Sequence, residues 1–216
     1  MRTGCQWRLL PHEYPKWQIV YYHFAKWRRD HVWDDVLSAL REQDRLAAGR
    51  ALAPSMLIVD SQSTKTTEMG GETGYDGGKK VKGRKRHIVV DTRGTLVGIR
   101  VHAANIPDPE GAEYALRSIL TTDCSQLERI LADKGYRSEE LATWVEEVMA
   151  VPLELVGGLA GQKGFVVHQW RWIVERTLAW LSRHRRLAKD VERLAATTET
   201  VAYLAMSHLL LKRLDP

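Results

Sequence analysis

The sequence predicts an α/β fold in which a parallel or mixed sheet is flanked by helices. Three observations support this class: short apolar runs typical of buried strands, a hairpin signal between two of them, and segments with helical spacing of apolar residues around them. The chain has 216 residues, of which 44% are hydrophobic, so it can bury a sizeable core. Intrinsic disorder as the main state and a small disulfide scaffold are therefore excluded.

The first 50 residues are predicted to form a helical, aromatic-rich unit with a small core of its own. Four of the eight tryptophans fall within the first 33 positions. Apolar residues recur at helical spacing over Trp17–Arg29 and Val32–Leu46, with a break around Asp30 and His31. We therefore divide the chain into residues 1–50 and residues 51–216.

From residue 51 onward, strands and helices alternate without an internal repeat. The predicted strands are Met56–Val59, His87–Asp91, Thr95–His102, Ile130–Asp133 and Pro152–Val156. The predicted helices are 108–120, capped by Asp108 with Pro109 in the first turn, 138–149, capped by Ser138, 169–187 and 199–214. Gly70–Gly83 contains six of the sixteen glycines, which predicts a loop.

Composition points to a protein of the reducing cytoplasm. The chain has only two cysteines, and its longest apolar stretch, Val201–Leu211, is too short for a membrane span. No secretory signal is visible at the start, so we expect a soluble intracellular protein. The net charge of +5 is informative only if the basic residues share one surface.

Two aspartates each follow a predicted buried strand. If the strands of Asp60 and Asp133 share a sheet and a direction, both carboxylates emerge at its carboxyl edge, where ligand sites in open α/β sheets collect. The alternative is that each aspartate simply begins a turn, as aspartate often does.

Glu175 lies on a predicted helix, on a different face from the apolar one. At about 100° per residue, His168, Arg171, Ser182 and Arg186 share its side of the helix. A carboxylate among arginines suits a metal-bound phosphodiester. An exposed stripe with an Arg171–Glu175 ion pair is the alternative.

A cationic run occupies the glycine-rich region and the residues after it. Flexible cationic segments of this kind contact phosphate backbones, although most charge runs are solvated loops. Its members are Lys79, Lys80, Lys82, Arg84, Lys85 and Arg86. The run lacks the glycine spacing of a nucleotide-binding loop, and the histidines form no cluster with cysteine, so we do not expect a zinc site.

Several strings, in this order, resemble the DDE transposases of bacterial insertion sequences, in the branch called the insertion sequence five family. Their joint occurrence is specific, and they span nearly the whole chain. The strings are Thr3-Gly-Cys-Gln-Trp-Arg8, Ile58-Val-Asp-Ser-Gln-Ser-Thr-Lys65, Asp76-Gly-Gly-Lys-Lys-Val-Lys-Gly-Arg-Lys-Arg-His-Ile-Val-Val-Asp-Thr-Arg-Gly94, Ala103-Ala-Asn105, Leu131-Ala-Asp-Lys-Gly-Tyr136, Arg171-Trp-Ile-Val-Glu-Arg-Thr-Leu-Ala-Trp180 and Arg185-Arg-Leu187.

The resemblance implies an RNase H-like (retroviral integrase-like) mixed sheet. It also implies a catalytic triad of Asp60, Asp133 and Glu175 that binds two Mg²⁺ ions, for which Mn²⁺ can substitute. The implied activity is metal-dependent phosphodiester cleavage and strand transfer at the ends of an insertion sequence. Two accessory positions depart from the pattern, where His168 and Ser182 replace a tyrosine and a basic residue.

The implied partner is double-stranded DNA, namely the element's terminal inverted repeats and its target. We expect a homodimer when assembled on DNA, in the bacterial cytoplasm and on the nucleoid. Residues 1–50 would be a DNA-binding-like unit, and the expected backbone contacts come from the cationic run and the C-terminal helix. These contacts are Lys79, Lys80, Lys82, Arg84, Lys85, Arg86, Arg171, Arg176, Arg183, Arg185 and Arg186.

Relatives carry a further helical stretch before the Thr3-Gly-Cys-Gln-Trp-Arg8 string. We therefore expect a truncated copy, one half of a frameshifted reading frame, or an incorrectly assigned start. Two other functions stay open: a catalytically silent DNA-binding remnant, and a host nuclease with the same fold. Short inverted repeats flanking the gene would favour the transposase over both.

Overall fold

A computed structural model of the chain describes residues 4–68, 71–156 and 170–215. Its strands in these ranges are β1 (Met56–Lys65), β2 (Gly74–Asp76), β3 (Val81–Asp91), β4 (Leu96–Ala103), β5 (Arg129–Asp133) and β6 (Leu153–Val156). Its helices are α1 (Trp17–Arg29), α2 (Val32–Ala47), α3 (Asp108–Arg117), α4 (Glu139–Met149), α5 (Arg171–Ser182), α6 (Arg185–Ala188) and α7 (Ala195–Leu214). The predicted α/β class is confirmed.

The strands form one mixed sheet with the order β4-β3-β1-β5-β6, and β2 pairs with the start of β3. β3 is antiparallel to both β1 and β4, whereas β5 runs parallel to β1 and β6 runs parallel to β5. The first strand of the sheet is therefore central, and its parallel neighbour ends beside its middle. This arrangement determines where the carboxylates emerge.

Helices cover both faces of the sheet. α3 and α4 pack on the face that contains Leu57 and Val59, while α2, α5 and α7 pack on the face that contains Ile58 and Ile88. Because β1 and β3 are buried on both faces, their apolar residues run continuously rather than alternating. These runs are the signal that identified both strands in the sequence.

The separate N-terminal core predicted for residues 1–50 is wrong. Phe24 and Leu37 are buried in the same cluster as Val201 and Met206 of α7, and α2 packs along α7. The aromatic side chains therefore extend the main core. The predicted break between the two helices is confirmed, because His31 adopts a left-handed conformation with φ of 57°.

Several predicted boundaries need correction. β1 continues beyond Val59 to Lys65 because β3 pairs with its whole second half, and the predicted Gly70–Gly83 loop contains β2 and the start of β3. The last two predicted helices differ as well: α5 and α6 are separate, and α7 begins at Ala195. Gln169, where we predicted the start of the first, lies outside the described residues.

Of the two predicted helix caps, one is confirmed and one is wrong. Ser138 caps α4 as predicted, since its side chain accepts a hydrogen bond from the backbone N–H of Leu141. Asp108 is not the cap of α3 but its first residue, after Pro107. Its carboxylate instead contacts Lys85 and Ser61, which brings it to the candidate site.

Candidate functional site

A cavity of about 350 Å³ opens where β5 ends beside the middle of β1. Side chains from β1, α3, the end of β5, α5 and the β2–β3 turn meet there. Its lining residues are Asp60, Ser61, Gln62, Ser63, Lys79, Asp108, Asp133, Gly135, Tyr136, Arg171, Glu175 and Leu178. The structure thus brings together the three carboxylates predicted from the sequence, together with a fourth that was not predicted.

Asp60 and Asp133 approach each other through strand register. Ile58 on β1 pairs with Leu131 on β5, and each aspartate lies two residues further along its own strand. Because side chains two residues apart share a face, the two carboxylates emerge on the same side of the sheet. The turn-forming alternative explains only Asp133, whose Oδ1 accepts a hydrogen bond of 2.7 Å from the N–H of Gly135.

Asp60 is an acid held in an unfavourable environment. Burial raises the pKa of its carboxyl group to about 6, and the neighbouring Asp133 carboxylate adds to the rise. The backbone N–H of Ser61, which donates to Asp60 Oδ1 at 2.7 Å, and the positive charges of Lys79 and Arg171 oppose it. A half-buried carboxylate beside a second carboxylate is stabilised by added positive charge.

Glu175 reaches the cavity from α5, which is anchored on the sheet by its opposite face. Ile173 and Val174 are buried, and Thr177 donates a hydrogen bond of 2.7 Å to the carbonyl oxygen of Gly94. Glu175 pairs with Arg171 at 3.1 Å, and their side chains are 59% and 47% exposed. The predicted ion pair is therefore present, and it lies at the mouth of the same cavity.

The three carboxylates line one cavity but do not form a ready coordination sphere. In the part of the chain that the structure describes, no three His, Cys, Asp or Glu side chains are grouped closely enough to hold one metal ion. Asp60 and Asp133 are the close pair. Glu175 would have to exchange Arg171 for a metal to join them.

Asp108 is the functional-site residue that sequence reasoning missed. Its Oδ1 accepts a hydrogen bond of 2.8 Å from Lys85 and one of 3.3 Å from Ser61, and His87 Nε2 lies 3.5 Å away. Burial acts to raise the pKa of Asp108, but its interactions with His87 and Lys85 hold it well below the usual range. We predicted only a helix cap because a local pattern cannot show contacts with β1 and β3.

The predicted DNA-contacting cations divide into exposed and enclosed residues. Three members of the cationic run are buried: Arg84 bonds to main-chain carbonyls and Asp190, Lys85 bonds to Asp108, and Arg86 bonds to the carbonyl of Leu187. The structure therefore corrects these three, because they lie on strand β3, between β4 and β1, and not in a loop. Two further cations, Arg176 and Arg186, are partly buried and stack on tryptophan rings.

The exposed members of the predicted set are Lys79, Lys80, Lys82, Arg171, Arg183 and Arg185. Arg186 belongs to the separate helix α6, so it does not share a helix face with Glu175 as predicted. His168 lies outside the described residues.

The raised pKa of Asp60 predicts a pH-dependent cost in stability. The folded chain holds this proton more tightly than the unfolded chain does, so the free energy of unfolding should fall as pH rises from about 4 to about 6. Asp60→Asn removes that cost above pH 6. Each pKa unit corresponds to about 1.4 kcal/mol and solvent screens part of it, so we expect Asn to stabilise the metal-free chain by about 1–2 kcal/mol at pH 7.5.

Urea denaturation of the wild-type and Asp60→Asn chains at pH 7.5 and pH 4 measures this difference. The gain should vanish at pH 4, where the wild-type carboxyl is protonated. An Asp60→Asn chain that is no more stable than the wild-type chain at pH 7.5 would show that the Asp60 carboxyl group is not desolvated.

Among the described residues, no helix is long and apolar enough to cross a membrane.

Comparisons with known proteins indicate the family of the chain. A family model described as a transposase DDE domain matches residues 52–210, and one described as belonging to the IS4/5 transposase family matches residues 1–37. A Burkholderia cepacia protein named as a transposase for insertion sequence element IS402 is 30% identical over 119 residues, which cover 52% of this chain and 56% of that protein. The match therefore spans about half the length of this curated relative.

Proposed function

Because the chain belongs to the transposase DDE domain family, as its match over residues 52–210 shows, we propose that it cuts DNA strands and joins the freed ends to new DNA. The observation that carries this proposal is the convergence of Asp60, Asp133 and Glu175 on one cavity beside exposed cations. Phosphodiester cleavage needs groups that stabilise negative charge on the attacking and leaving oxygens. At this cavity the carboxylates can bind metal ions that stabilise this charge, and the exposed cations can stabilise it directly.

The chemistry of the donor set fits a divalent cation. Asp60 accepts its hydrogen bond from a backbone N–H rather than from a lysine or arginine, and it faces a second carboxylate. Hard oxygen ligands of this kind suit Mg²⁺ or Mn²⁺, and we propose that Asp60, Asp133 and Glu175 hold two such ions. When bound, the ions would activate the attacking oxygen and neutralise charge at the phosphorus.

The residues of the chain prepare this chemistry. Ser61 and Gly135 fix the Asp60 and Asp133 carboxylates through their backbone N–H groups. Glu175 is carried by a helix whose other face is buried, so its position is set by packing. Arg171 neutralises Glu175 at 3.1 Å and, once released, can pair with a DNA phosphate near the cavity.

We also propose that the sheet is RNase H-like. The support is its order, with antiparallel β4, β3 and β1 followed by parallel β5 and β6, and the position of the first aspartate on the first strand.

An insertion element has two ends, and each chain carries one copy of Asp60, Asp133 and Glu175. Cutting both ends together would therefore require two copies on the DNA.

Strand cleavage and joining on a labelled duplex test the proposed function. The duplex carries the terminal sequence of the DNA element that encodes the chain, and Mg²⁺ or Mn²⁺ is added. The proposal predicts nicked and joined products that depend on the metal. Binding without any cleavage in either metal would instead identify a silent DNA-binding protein, and cleavage without joining a nuclease.

Lys80 and Lys82 are proposed to contact the DNA backbone without reading sequence. Both are exposed, and they lie in or beside the β2–β3 turn. Replacing both by alanine should weaken binding to all duplexes alike and lower the log-log salt slope by about one per lost phosphate contact. Filter binding between 50 and 200 mM salt measures both quantities, and an unchanged slope would make the turn a solvated insertion.

A further inference from the structure

We propose that Lys79 belongs to the reaction cavity itself, where its ammonium group contacts the phosphate that is being cut. It would then be a catalytic residue and not one more member of the exposed cations that hold the DNA backbone. This inference rests on the proposed function. It arises from three features: where Lys79 Nζ lies, what fixes it there, and which charges surround it.

The side chain of Lys79 lines the cavity and reaches the strand that carries Asp60. Its Nζ donates hydrogen bonds of 3.1 Å to both the carbonyl oxygen and the hydroxyl of Ser61. Its positive charge also opposes the rise in the pKa of Asp60. Lys80 and Lys82, its neighbours in sequence, do not line this cavity.

The turn that carries Lys79 is fixed by a buried carboxylate. Asp76, which is 8% exposed, accepts a hydrogen bond of 2.9 Å from the backbone N–H of Lys79. Ser63 on β1 donates a hydrogen bond to the other carboxylate oxygen of Asp76. The tip of the β2–β3 hairpin is thus tied to β1 through Asp76, so the lysine is positioned before DNA arrives.

The other charges of the cavity leave Lys79 available for a phosphate. Arg171 is paired with Glu175 at 3.1 Å, and Asp108 is neutralised by Lys85 at 2.8 Å. Lys79, by contrast, hydrogen-bonds to the neutral carbonyl and hydroxyl groups of Ser61. Exchanging these partners for a phosphate oxygen breaks no hydrogen bond between Lys79 and a carboxylate, so the exchange carries a small electrostatic cost.

A preorganised donor of this kind acts on the rate more than on affinity. Charge on the non-bridging phosphate oxygens is best stabilised by donors that are already in place, and removing one such donor typically lowers a rate by about 10²–10³-fold. The many backbone contacts along the duplex would keep affinity nearly constant. We therefore expect Lys79→Ala to slow single-turnover cleavage about 100-fold while the Kd changes by less than about threefold.

The experiment compares four variants with the wild-type chain on the labelled terminal duplex, with the protein in excess. Lys79→Ala is the test, and Lys79→Arg should restore part of the rate because it returns the charge. Lys80→Ala removes the same charge from the same turn and should act on the Kd. Lys212→Ala, an exposed lysine on α7, is the matched control and should behave as wild type.

Asp60→Asn, assayed in parallel, separates this inference from the proposed function. If the wild-type chain cuts, Asp60→Asn does not, and Lys79→Ala cuts at the wild-type rate, the inference about Lys79 is overturned and the proposed function stands. A Lys79→Ala chain whose loss lies wholly in the Kd overturns it equally. If the wild-type chain does not cut at all, both are overturned.

Discussion

Replacing Asp60, Asp133 or Glu175 singly by alanine is expected to lower the rate of DNA cleavage by about 10³-fold or more. Each carboxylate is proposed to hold a metal ion in one shared site. Losing metal-derived stabilisation of several kcal/mol corresponds to a loss of this size. DNA affinity should change little, because the exposed cations that are proposed to hold the backbone are left intact.

Single-turnover cleavage and gel-shift titration on the same duplex measure the two quantities. Glu147→Ala, an exposed glutamate on α4 away from the cavity, is the matched control and should retain both. The Glu175 variant is the strictest test of the three, because the Glu175 carboxylate is paired with Arg171 in the structure. A Glu175→Ala chain that cuts and joins normally contradicts its assignment.

Replacing Arg84 by alanine is expected to lower the free energy of unfolding by about 3–5 kcal/mol, the usual cost of breaking a buried ion pair. Arg84 is 1% exposed, lies 3.4 Å from the buried carboxylate of Asp190, and donates to the carbonyls of Glu192 and Arg193. Its guanidinium ties β3 to the segment that precedes α7. Removing it takes the cationic partner from the buried carboxylate of Asp190 and breaks the hydrogen bonds that Arg84 donates to main-chain carbonyls.

Urea denaturation measures this loss, with Lys82→Ala as the control. Lys82 lies two residues away and is exposed, so its replacement should change stability by less than about 0.5 kcal/mol. Comparing Arg84→Ala with Lys82→Ala therefore distinguishes a cation that stabilises the fold from one that is proposed to contact DNA. An Arg84→Ala chain with wild-type stability and weakened DNA binding would show that this arginine faces DNA.

The meeting of Asp60 and Asp133 at one place in the sheet could be predicted from the sequence, because the signal for each strand is local. Asp60 and Asp133 each follow a continuous apolar run, and such runs identify strands buried on both faces. Parallel pairing then brings the two residues to one place. The continuation of β1 beyond Asp60 was not predictable, because Ser61–Lys65 is polar and is held in the sheet by pairing with β3.

The buried cations could not be identified because their partners are distant in sequence. Arg84 pairs with Asp190, 106 residues further along the chain. A run of lysines and arginines near glycines resembles a solvated loop in any short window. The same reasoning applies to the N-terminal aromatics: their clustering in the sequence predicts a separate core, whereas α2 packs on α7 in the structure.

If Asp60 holds a divalent metal ion that DNA cleavage requires, replacing its oxygen ligand by sulfur should change which metal supports cleavage. In Asp60→Cys a thiolate replaces a hard oxygen ligand. Mg²⁺ binds thiolate poorly, whereas Mn²⁺ accepts it more readily. The measurement is the cleavage rate of this variant in each metal, relative to the wild-type chain in the same metal. We expect almost no cleavage in Mg²⁺ and partial recovery in Mn²⁺. Equal relative rates in the two metals would contradict metal ligation by Asp60.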